Sequence, residues 1–158
     1  MPARNVIVMR QSQEAQMDLL LICRDALENS VIANIALALD VRGRGRKAGV
    51  LFTEEALAAL AGESFGWSPL FRPRPARIAV SRGAKSVGIP VAAEHDDRWT
   101  DLRALLIAGH EAGVELLACP IWSRILDVRD NLPPEISILD SVEEMESLMS
   151  ERRVIGGF

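Results

Sequence analysis

Residues 113–126 read Gly113-Val-Glu-Leu-Leu-Ala-Cys-Pro-Ile-Trp-Ser-Arg-Ile-Leu126, and this stretch decides how the chain is interpreted. The apolar run at residues 114–118 predicts a buried strand. Cys119 and Pro120 follow at once, and proline is favoured at the first position of a helix, where its missing N–H costs nothing. The sequence therefore predicts a strand, a tight turn with Cys119 as the cap, and a short helix.

Strand-like and helix-like segments alternate on both sides of this turn. Strands are predicted at residues 17–23, 48–52, 114–118, 135–139 and 153–155. Helices are predicted at residues 28–41, 54–61 and 100–112, after Cys119, and after the capping box Ser141-Val-Glu-Glu144. Residues 76–82 fit a helix or a strand. The alternation predicts an α/β fold: a single-domain, open, mostly parallel sheet of about five strands with helices on both faces.

The periodicity also predicts which side chains form the core and where the domain begins. Residues 17–158 are expected to form one domain, with residues 1–16 as an N-terminal arm or an extra edge strand. The central strands are expected to bury Leu19, Leu21, Val50, Phe52, Leu116, Ile136 and Ile138. The helix after the capping box is expected to bury Val142, Met145, Leu148 and Met149, and the helix after residue 99 is expected to be capped by Thr100.

Composition excludes several classes of protein. The chain has 158 residues, of which 49% are hydrophobic and 25% charged, as is usual for one soluble domain. A net charge of −4 argues against a general nucleic-acid binder. No apolar run approaches the roughly 18 residues of a membrane span, and the N-terminus lacks the apolar core of a signal peptide. A cytoplasmic protein that binds neither nucleic acid nor membrane is expected.

Neither a metal site nor a bound cofactor is expected. The two cysteines, Cys23 and Cys119, do not form a C-x-x-C pair. His95 lies beside Asp96 and Asp97, but no second histidine follows at helical spacing, and we interpret this group as solvated.

Three polar or reactive residues fall at the predicted carboxyl ends of strands: Cys23, Thr53 and Cys119. In open parallel sheets, ligands bind beyond the carboxyl ends of the strands. We therefore expect these residues to share one edge of the sheet. A helix start beside Cys119 favours its thiolate and a lowered thiol pKa, although free cysteines are also common as inert core residues. Cys23 is interpreted as structural, with a resolving partner for Cys119 as the alternative.

Several segments together resemble the DsrE/DsrF-like sulfur-relay family. They are residues 18–23, Glu28-Asn-Ser-Val-Ile-Ala-Asn-Ile-Ala36, Val50-Leu-Phe-Thr-Glu-Glu-Ala-Leu57, residues 101–126 and Ile136-Ser-Ile-Leu-Asp-Ser-Val-Glu-Glu144. The resemblance covers residues 17–158 and is strongest where Ala112-Gly-Val-Glu-Leu-Leu-Ala-Cys119 leads into the short helix. The order of elements, with the cysteine in its place, carries the resemblance more than any single motif does.

The resemblance implies a small α/β protein with flavodoxin-like layering that forms trimers or hexamers. It also implies a sulfurtransferase-like activity in which Cys119 carries a persulfide from a donor protein to an acceptor protein. Arg124, about one helical turn further on, is a candidate to add positive charge beside the sulfur, or else a solvated helix residue. Trp122 stands where relatives often have small residues, and its bulk is expected to narrow access to the sulfur.

Two other functions remain open from the sequence. Some relatives lack the cysteine, so the chain is alternatively a non-catalytic DsrE-like oligomeric subunit. It is alternatively a small-ligand or interaction module that uses the edge of the sheet. A homo-oligomer, a trimer or a hexamer built from trimers, is expected. The apolar face of the first helix (Val31, Ile32 and Ile35) and the aromatic residues within 65–71 are expected to need covering by another subunit.

Overall fold

The computed structural model describes residues 17–150 and 152–156, and within them it confirms an open α/β fold with a five-stranded, fully parallel sheet. The strands are β1 (Leu19–Cys23), β2 (Ala48–Phe52), β3 (Glu115–Ala118), β4 (Ser137–Ile138) and β5 (Arg153–Gly156). The helices are α1 (Glu28–Gly43), α2 (Glu54–Gly62), α3 (Arg74–Ser86), α4 (Leu102–Glu111), α5 (Pro120–Ile125) and α6 (Val142–Ser150). The arm or edge strand expected at residues 1–16 lies outside the described residues.

The order of strands in the sheet is β4-β3-β2-β1-β5. The chain therefore steps from β1 to β4 in one direction and then crosses back to place β5 on the other side of β1. Since crossovers between parallel strands are right-handed, this reversal puts α6 on the opposite face from α1 and α4. The sheet is thus covered on both faces, as the alternation of elements predicts.

The larger core lies on the face covered by α1, α2 and α4. Alternate residues of the central strands point into it, including Leu21, Phe52 and Leu116, and all three are buried. The apolar side of α1 packs here as well, with Val31 and Ile35 fully buried. The expectation that this side of α1 needs a second subunit is therefore wrong, because the sheet of the same chain already covers it.

The smaller core lies on the face covered by α6. It contains Met17, Leu20, Leu51, Leu117, Cys119 and Leu139. Met145, Leu148 and Met149 of α6 pack against it but remain partly exposed, as does Val142, and no residue of α6 is fully buried. The prediction that α6 buries these four side chains is wrong in degree, because one helix has to cover a face that two or three helices cover on the other side.

Local bonds set the boundaries of the elements. The capping box forms around α6: the Ser141 hydroxyl accepts a hydrogen bond from the Glu144 N–H at 3.1 Å, and the Glu144 carboxylate accepts one from the Asp140 N–H at 2.7 Å. Gly45 follows α1 with a φ of 74°, a left-handed conformation that suits glycine. These turns bear out the predicted ends of the helices.

Three further expectations need correction. The cap of α4 is Asp101, whose carboxylate accepts a hydrogen bond from the Ala104 N–H at 3.0 Å, and not Thr100, whose hydroxyl donates to Glu28 instead. Strand β4 is only two residues long, so Ile136 is buried but precedes the strand, and Ile138 lies on an edge strand and is only half-buried.

Residues 76–82, for which the sequence allowed a helix or a strand, belong to helix α3. The preceding aromatic segment is only partly exposed: Phe65 and Trp67 pack against the larger core, whereas Leu70 and Phe71 face solvent. None of the helices in the described part of the chain has the length and apolar character needed to cross a bilayer.

Candidate functional site

The carboxyl ends of β1, β2 and β3 meet at one edge of the sheet. Cys23 ends β1, Thr53 follows β2 and Cys119 follows β3. The ladder continues past the strands, because the Thr53 N–H donates to the Cys23 carbonyl at 3.1 Å and the Cys119 N–H donates to the Phe52 carbonyl at 3.0 Å. The backbone of these three residues is therefore held firmly at the carboxyl edge, as predicted.

The turn at Cys119 has the predicted form. Cys119 is the N-cap of α5, with an extended backbone (φ −60°, ψ 127°), and Pro120 occupies the first turn of that helix. The Cys119 carbonyl accepts a hydrogen bond from the Ser123 N–H at 2.9 Å. The thiol makes no capping hydrogen bond, so its sulfur is not committed to the helix start.

A pocket of about 320 Å³ adjoins Cys119 on the face covered by α6. Its floor and walls are mostly apolar and come from the first two strands, α5 and α6; they comprise Ile22, Leu51, Ile121, Trp122, Met145 and Met149. Its polar residues are Arg24, Thr53, Glu54 and Cys119. Thr53 and Cys119 thus share a site, and that site lies where a parallel α/β sheet is expected to bind ligands.

The Cys119 side chain borders this pocket but is itself almost entirely buried. Cys119 is 5% exposed and belongs to the smaller core. Trp122 is half-buried and packs against both cores, with its indole beside the cysteine pocket. A reagent that approaches the sulfur from this pocket meets Trp122 and the methionines of α6, which are the flexible part of the wall.

One ion pair borders the same pocket. The Arg24 Nη2 and Nε atoms lie 3.0 and 3.2 Å from the Glu54 Oε2 atom. Arg24 directly follows β1, and Glu54 follows Thr53 with a φ of 53°, a left-handed conformation that is costly for a residue with a side chain. The turn after β2 therefore directs a carboxylate toward the guanidinium beside the cysteine pocket.

Arg124 does not line the Cys119 pocket. Its Nε donates to the Pro120 carbonyl at 3.3 Å, back along its own helix. It borders a separate, smaller cavity together with Ser123, Asp127 and Asp140. The guanidinium that borders the cysteine pocket belongs to Arg24 instead.

Cys23 lies in a different environment from Cys119. It is fully buried in the larger core, on the same face as Phe52, with which it is in register. Burial, reinforced by the negative charge of Asp25, raises the pKa of the Cys23 thiol to about 12. This thiol is protonated at neutral pH and packs as a core residue. Both cysteines are free, so the disulfide that the sequence left open is not formed.

The charged residues around His95 are paired with arginines and a lysine. Asp96 binds Arg98, which lowers the pKa of this carboxyl to about 2, and Asp97 lies 3.3 Å from Arg82 and 3.4 Å from Lys85. Within residues 17–150 and 152–156, no group of three histidine, cysteine or acidic side chains is placed to hold a metal ion.

Sequence reasoning missed Arg24, Glu54, Met145 and Met149 as parts of the site. Arg24 stands next to Cys23 at the predicted carboxyl edge, so its position along the chain was a usable signal. Met145 and Met149 reach the pocket because the chain crosses back beneath the sheet between β4 and β5. No local sequence pattern predicts that crossover.

Comparison with known proteins adds no family assignment. No family model matches the sequence, and no curated protein matches it significantly.

Proposed function

We propose that the protein is a DsrE/DsrF-like sulfur-relay protein that carries a persulfide on Cys119. The observation that best supports this role is the position of the Cys119 sulfur, which is free of hydrogen bonds at the helix cap and adjoins the pocket of about 320 Å³ at the carboxyl edge. The second thiol, Cys23, is sealed in the core, so only one cysteine is available for chemistry.

The chemistry is a sulfur transfer without net oxidation. The Cys119 thiolate attacks the terminal sulfur of a persulfide on a donor cysteine, a new S–S bond forms on Cys119, and the S–S bond of the donor breaks. The donor leaves as a thiolate, so one persulfide and one thiolate are present before and after the step. The reverse step, with a thiolate of an acceptor protein, releases the sulfur from Cys119 and restores its thiolate.

The surroundings of Cys119 suit a persulfide. Cys119 stands at the N-cap of α5, where its thiol makes no hydrogen bond to the helix and stays free to react. Arg24 and Glu54 also line the pocket as an ion pair, so the guanidinium is available as a hydrogen-bond donor there while its charge is balanced by the carboxylate. The apolar wall of Ile22, Leu51 and Met145 limits the access of water, which protects a persulfide until the acceptor arrives.

The donor and the acceptor are proposed to be proteins that present a cysteine on an extended or protruding segment. The Cys119 sulfur lies below the surface, so a flat partner surface does not reach it. Trp122 and the methionines of α6 border the entrance and adapt to the segment that enters.

We also propose a homo-trimer, or a hexamer built from trimers. Large apolar side chains that face solvent in the single chain support this assembly: Leu70 is 85% exposed, Val87 is 71% exposed and Phe71 is 39% exposed. Sedimentation at micromolar concentration is expected to give a trimer or a hexamer, and a monomer would contradict the proposed assembly. Leu70→Asp is expected to dissociate it.

Sulfur uptake tests the proposed function. After incubation with polysulfide, the intact mass of the protein is expected to rise by about 32 Da for each sulfur added. Cys119→Ser is expected to abolish the gain, whereas the matched Cys23→Ser variant is expected to keep it. If neither the wild type nor Cys23→Ser gains mass, the non-catalytic oligomeric subunit is the better interpretation.

A further inference from the structure

A second pocket lies on the other face of the sheet from the cysteine pocket. Its volume is about 280 Å³, and it is formed by the start of α1, the end of α2 and the first turns of α4. We call it the Glu28 pocket; it is lined by Glu28, Leu60, Glu63, Phe65, Leu102, Arg103, Leu106 and Pro133. Helices α1, α2 and α4 pack over the larger core, on the other face of the sheet from α6. The Glu28 pocket and the cysteine pocket have no lining residue in common.

The wall of the Glu28 pocket is mostly apolar. Leu60 and Leu106 are buried, and Phe65 and Leu102 pack against the larger core, so these four side chains form a floor that is continuous with the core. An engineered cavity of about 150 Å³ already binds benzene. The Glu28 pocket is larger than that and has space for one aromatic ring with a short chain.

Glu28 is the polar anchor of this pocket. It is half-buried at the start of α1, and its Oε2 atom accepts a hydrogen bond of 2.7 Å from the Thr100 hydroxyl. The other carboxylate oxygen makes no hydrogen bond with the residues that the structure describes. Burial raises the pKa of Glu28, while the Thr100 hydrogen bond and the charge of Arg77 oppose that rise. The negative charge is therefore costly here, and a bound cation would offset that cost.

The remaining charges leave the pocket acidic. Arg103 lines the wall, but both of its terminal nitrogens bind the carboxylate of Glu135, which takes up its charge. Glu63, on the same wall, makes no ion pair within the described residues. Two carboxylates thus border an apolar cavity. Outside the lining, the basic side chain whose charge affects the pKa of Glu28 is Arg77, which lowers it.

We propose that the Glu28 pocket binds a small organic ammonium compound, with its apolar body on Leu60, Phe65 and Leu106 and its ammonium group on the carboxylates of Glu28 and Glu63. The charge selects a cation, and the apolar floor selects a hydrocarbon body over a simple metal ion or a polyamine. This site is independent of sulfur transfer, because its residues lie on the opposite face of the sheet from Cys119.

The test uses three probes of similar size and different charge on the full chain. NMR titration compares 2-phenylethylammonium, neutral 2-phenylethanol and anionic phenylacetate. The ammonium probe is expected to shift the amides of Glu28, Glu63 and Leu102, and to bind about tenfold more tightly than the alcohol. Phenylacetate is expected not to bind. Equal affinity for the alcohol and the ammonium probe, shifts elsewhere in the protein, or no binding of the ammonium probe would overturn the proposal.

Conservative variants identify the anchor. Glu28→Gln keeps the size of the side chain and a carbonyl oxygen that accepts the hydrogen bond from the Thr100 hydroxyl. It is expected to weaken binding of the ammonium probe about tenfold. Glu63→Gln is expected to weaken it less, because Glu63 is exposed to solvent. The control is Glu55→Gln, an exposed residue of α2 outside the pocket, which is expected to leave affinity unchanged. A loss with Glu55→Gln as large as that with Glu28→Gln would contradict the proposed anchor.

Discussion

Cys23 and Cys119 stand at the same edge of the sheet, but their side chains lie on opposite faces of it. Phe52 of β2 is in register with Cys23 of β1 on one side and with Ala118 of β3 on the other, and all three side chains lie in the larger core. Cys119 is the residue after Ala118. Because strand side chains alternate, the residue after Ala118 turns to the smaller core. Strand β2 also separates the two cysteines, so the chain holds two thiols that differ in access and cannot form a disulfide with each other without rearrangement.

The first prediction concerns Cys23 and pH. Its thiol has a pKa of about 12 in the folded chain against 9.0 as the ordinary value, so the folded state retains a proton that the unfolded state loses between these limits. This contribution to stability is present below pH 9 and is lost as the pH rises toward 12. The free energy of unfolding is expected to fall by up to about 1.4 kcal/mol for each pH unit above 9.

The control for that pH dependence is Cys23→Ala, which is expected to show a smaller fall over the same range. The chain has no tyrosine and only two lysines, Lys47 and Lys85, so few other groups titrate there. Urea denaturation of both proteins between pH 7.5 and 10.5 makes the comparison. Parallel pH profiles for the two proteins would contradict the assigned environment of Cys23.

The second prediction concerns the larger core. Leu116 is buried in β3, between β2 and β4, and truncating it to alanine leaves a cavity beneath α4. Leu116→Ala is expected to lower the free energy of unfolding by about 2–5 kcal/mol. The control is Ile125→Ala at a side chain that is 63% exposed, with an expected change within about 0.5 kcal/mol. An equal loss in the free energy of unfolding for the two variants would show that Leu116 of β3 is not packed in the core.

The third prediction links the cap of α6 to the cysteine pocket. Ser141→Ala removes the hydroxyl that accepts from the Glu144 N–H and is expected to cost about 0.5–2 kcal/mol. Because α6 supplies Met145 and Met149 to the wall of the pocket, a looser helix is expected to speed alkylation of Cys119. Ser147→Ala makes the same chemical change at an exposed position of α6 and is expected to leave the rate unchanged. Identical alkylation rates in the two variants would show that the packing of α6 does not control access to the Cys119 sulfur.

The fourth prediction concerns Trp122 as the barrier to the sulfur. Trp122→Ala is expected to speed the reaction of Cys119 with iodoacetamide several-fold, because it widens the entrance of the pocket. Phe71→Ala removes an exposed aromatic side chain that does not line the pocket, and as the control it is expected to react at the wild-type rate. Unchanged alkylation in Trp122→Ala would place the barrier elsewhere, at the methionines of α6.

The fold was largely predictable because its signals are local. Strand β2 was predicted with the bounds that the structure has, and Pro120 fixed the start of α5 through the conformation of one turn. The sequence did not distinguish a helix from a strand at α3, because α3 buries only two small side chains, Ser81 and Ala84, and most of its polar residues face solvent. Its polar and apolar residues do alternate at helical spacing, but it has too few large apolar residues to mark a side that faces the core.

The candidate site was predictable only in part. The carboxyl edge brought Thr53 and Cys119 together as expected, because parallel strands share that edge. The pairing of Arg24 with Glu54 joins residues 30 positions apart, and it depends on the register of β1 with β2. Arg124 was misplaced because it lies five positions after Cys119 on α5, where its guanidinium turns back to the Pro120 carbonyl and away from the pocket.

The measurement that tests the central claim most directly is the site of sulfur addition in the folded protein. After incubation with polysulfide, alkylation and tryptic digestion place Cys119 in the peptide of residues 104–124 and Cys23 in the peptide of residues 11–24. We predict about 32 Da of added sulfur beneath the alkyl group on the first peptide and none on the second. Sulfur on the Cys23 peptide alone, or on neither peptide while the protein remains folded, would contradict the assignment of Cys119 as the sulfur carrier.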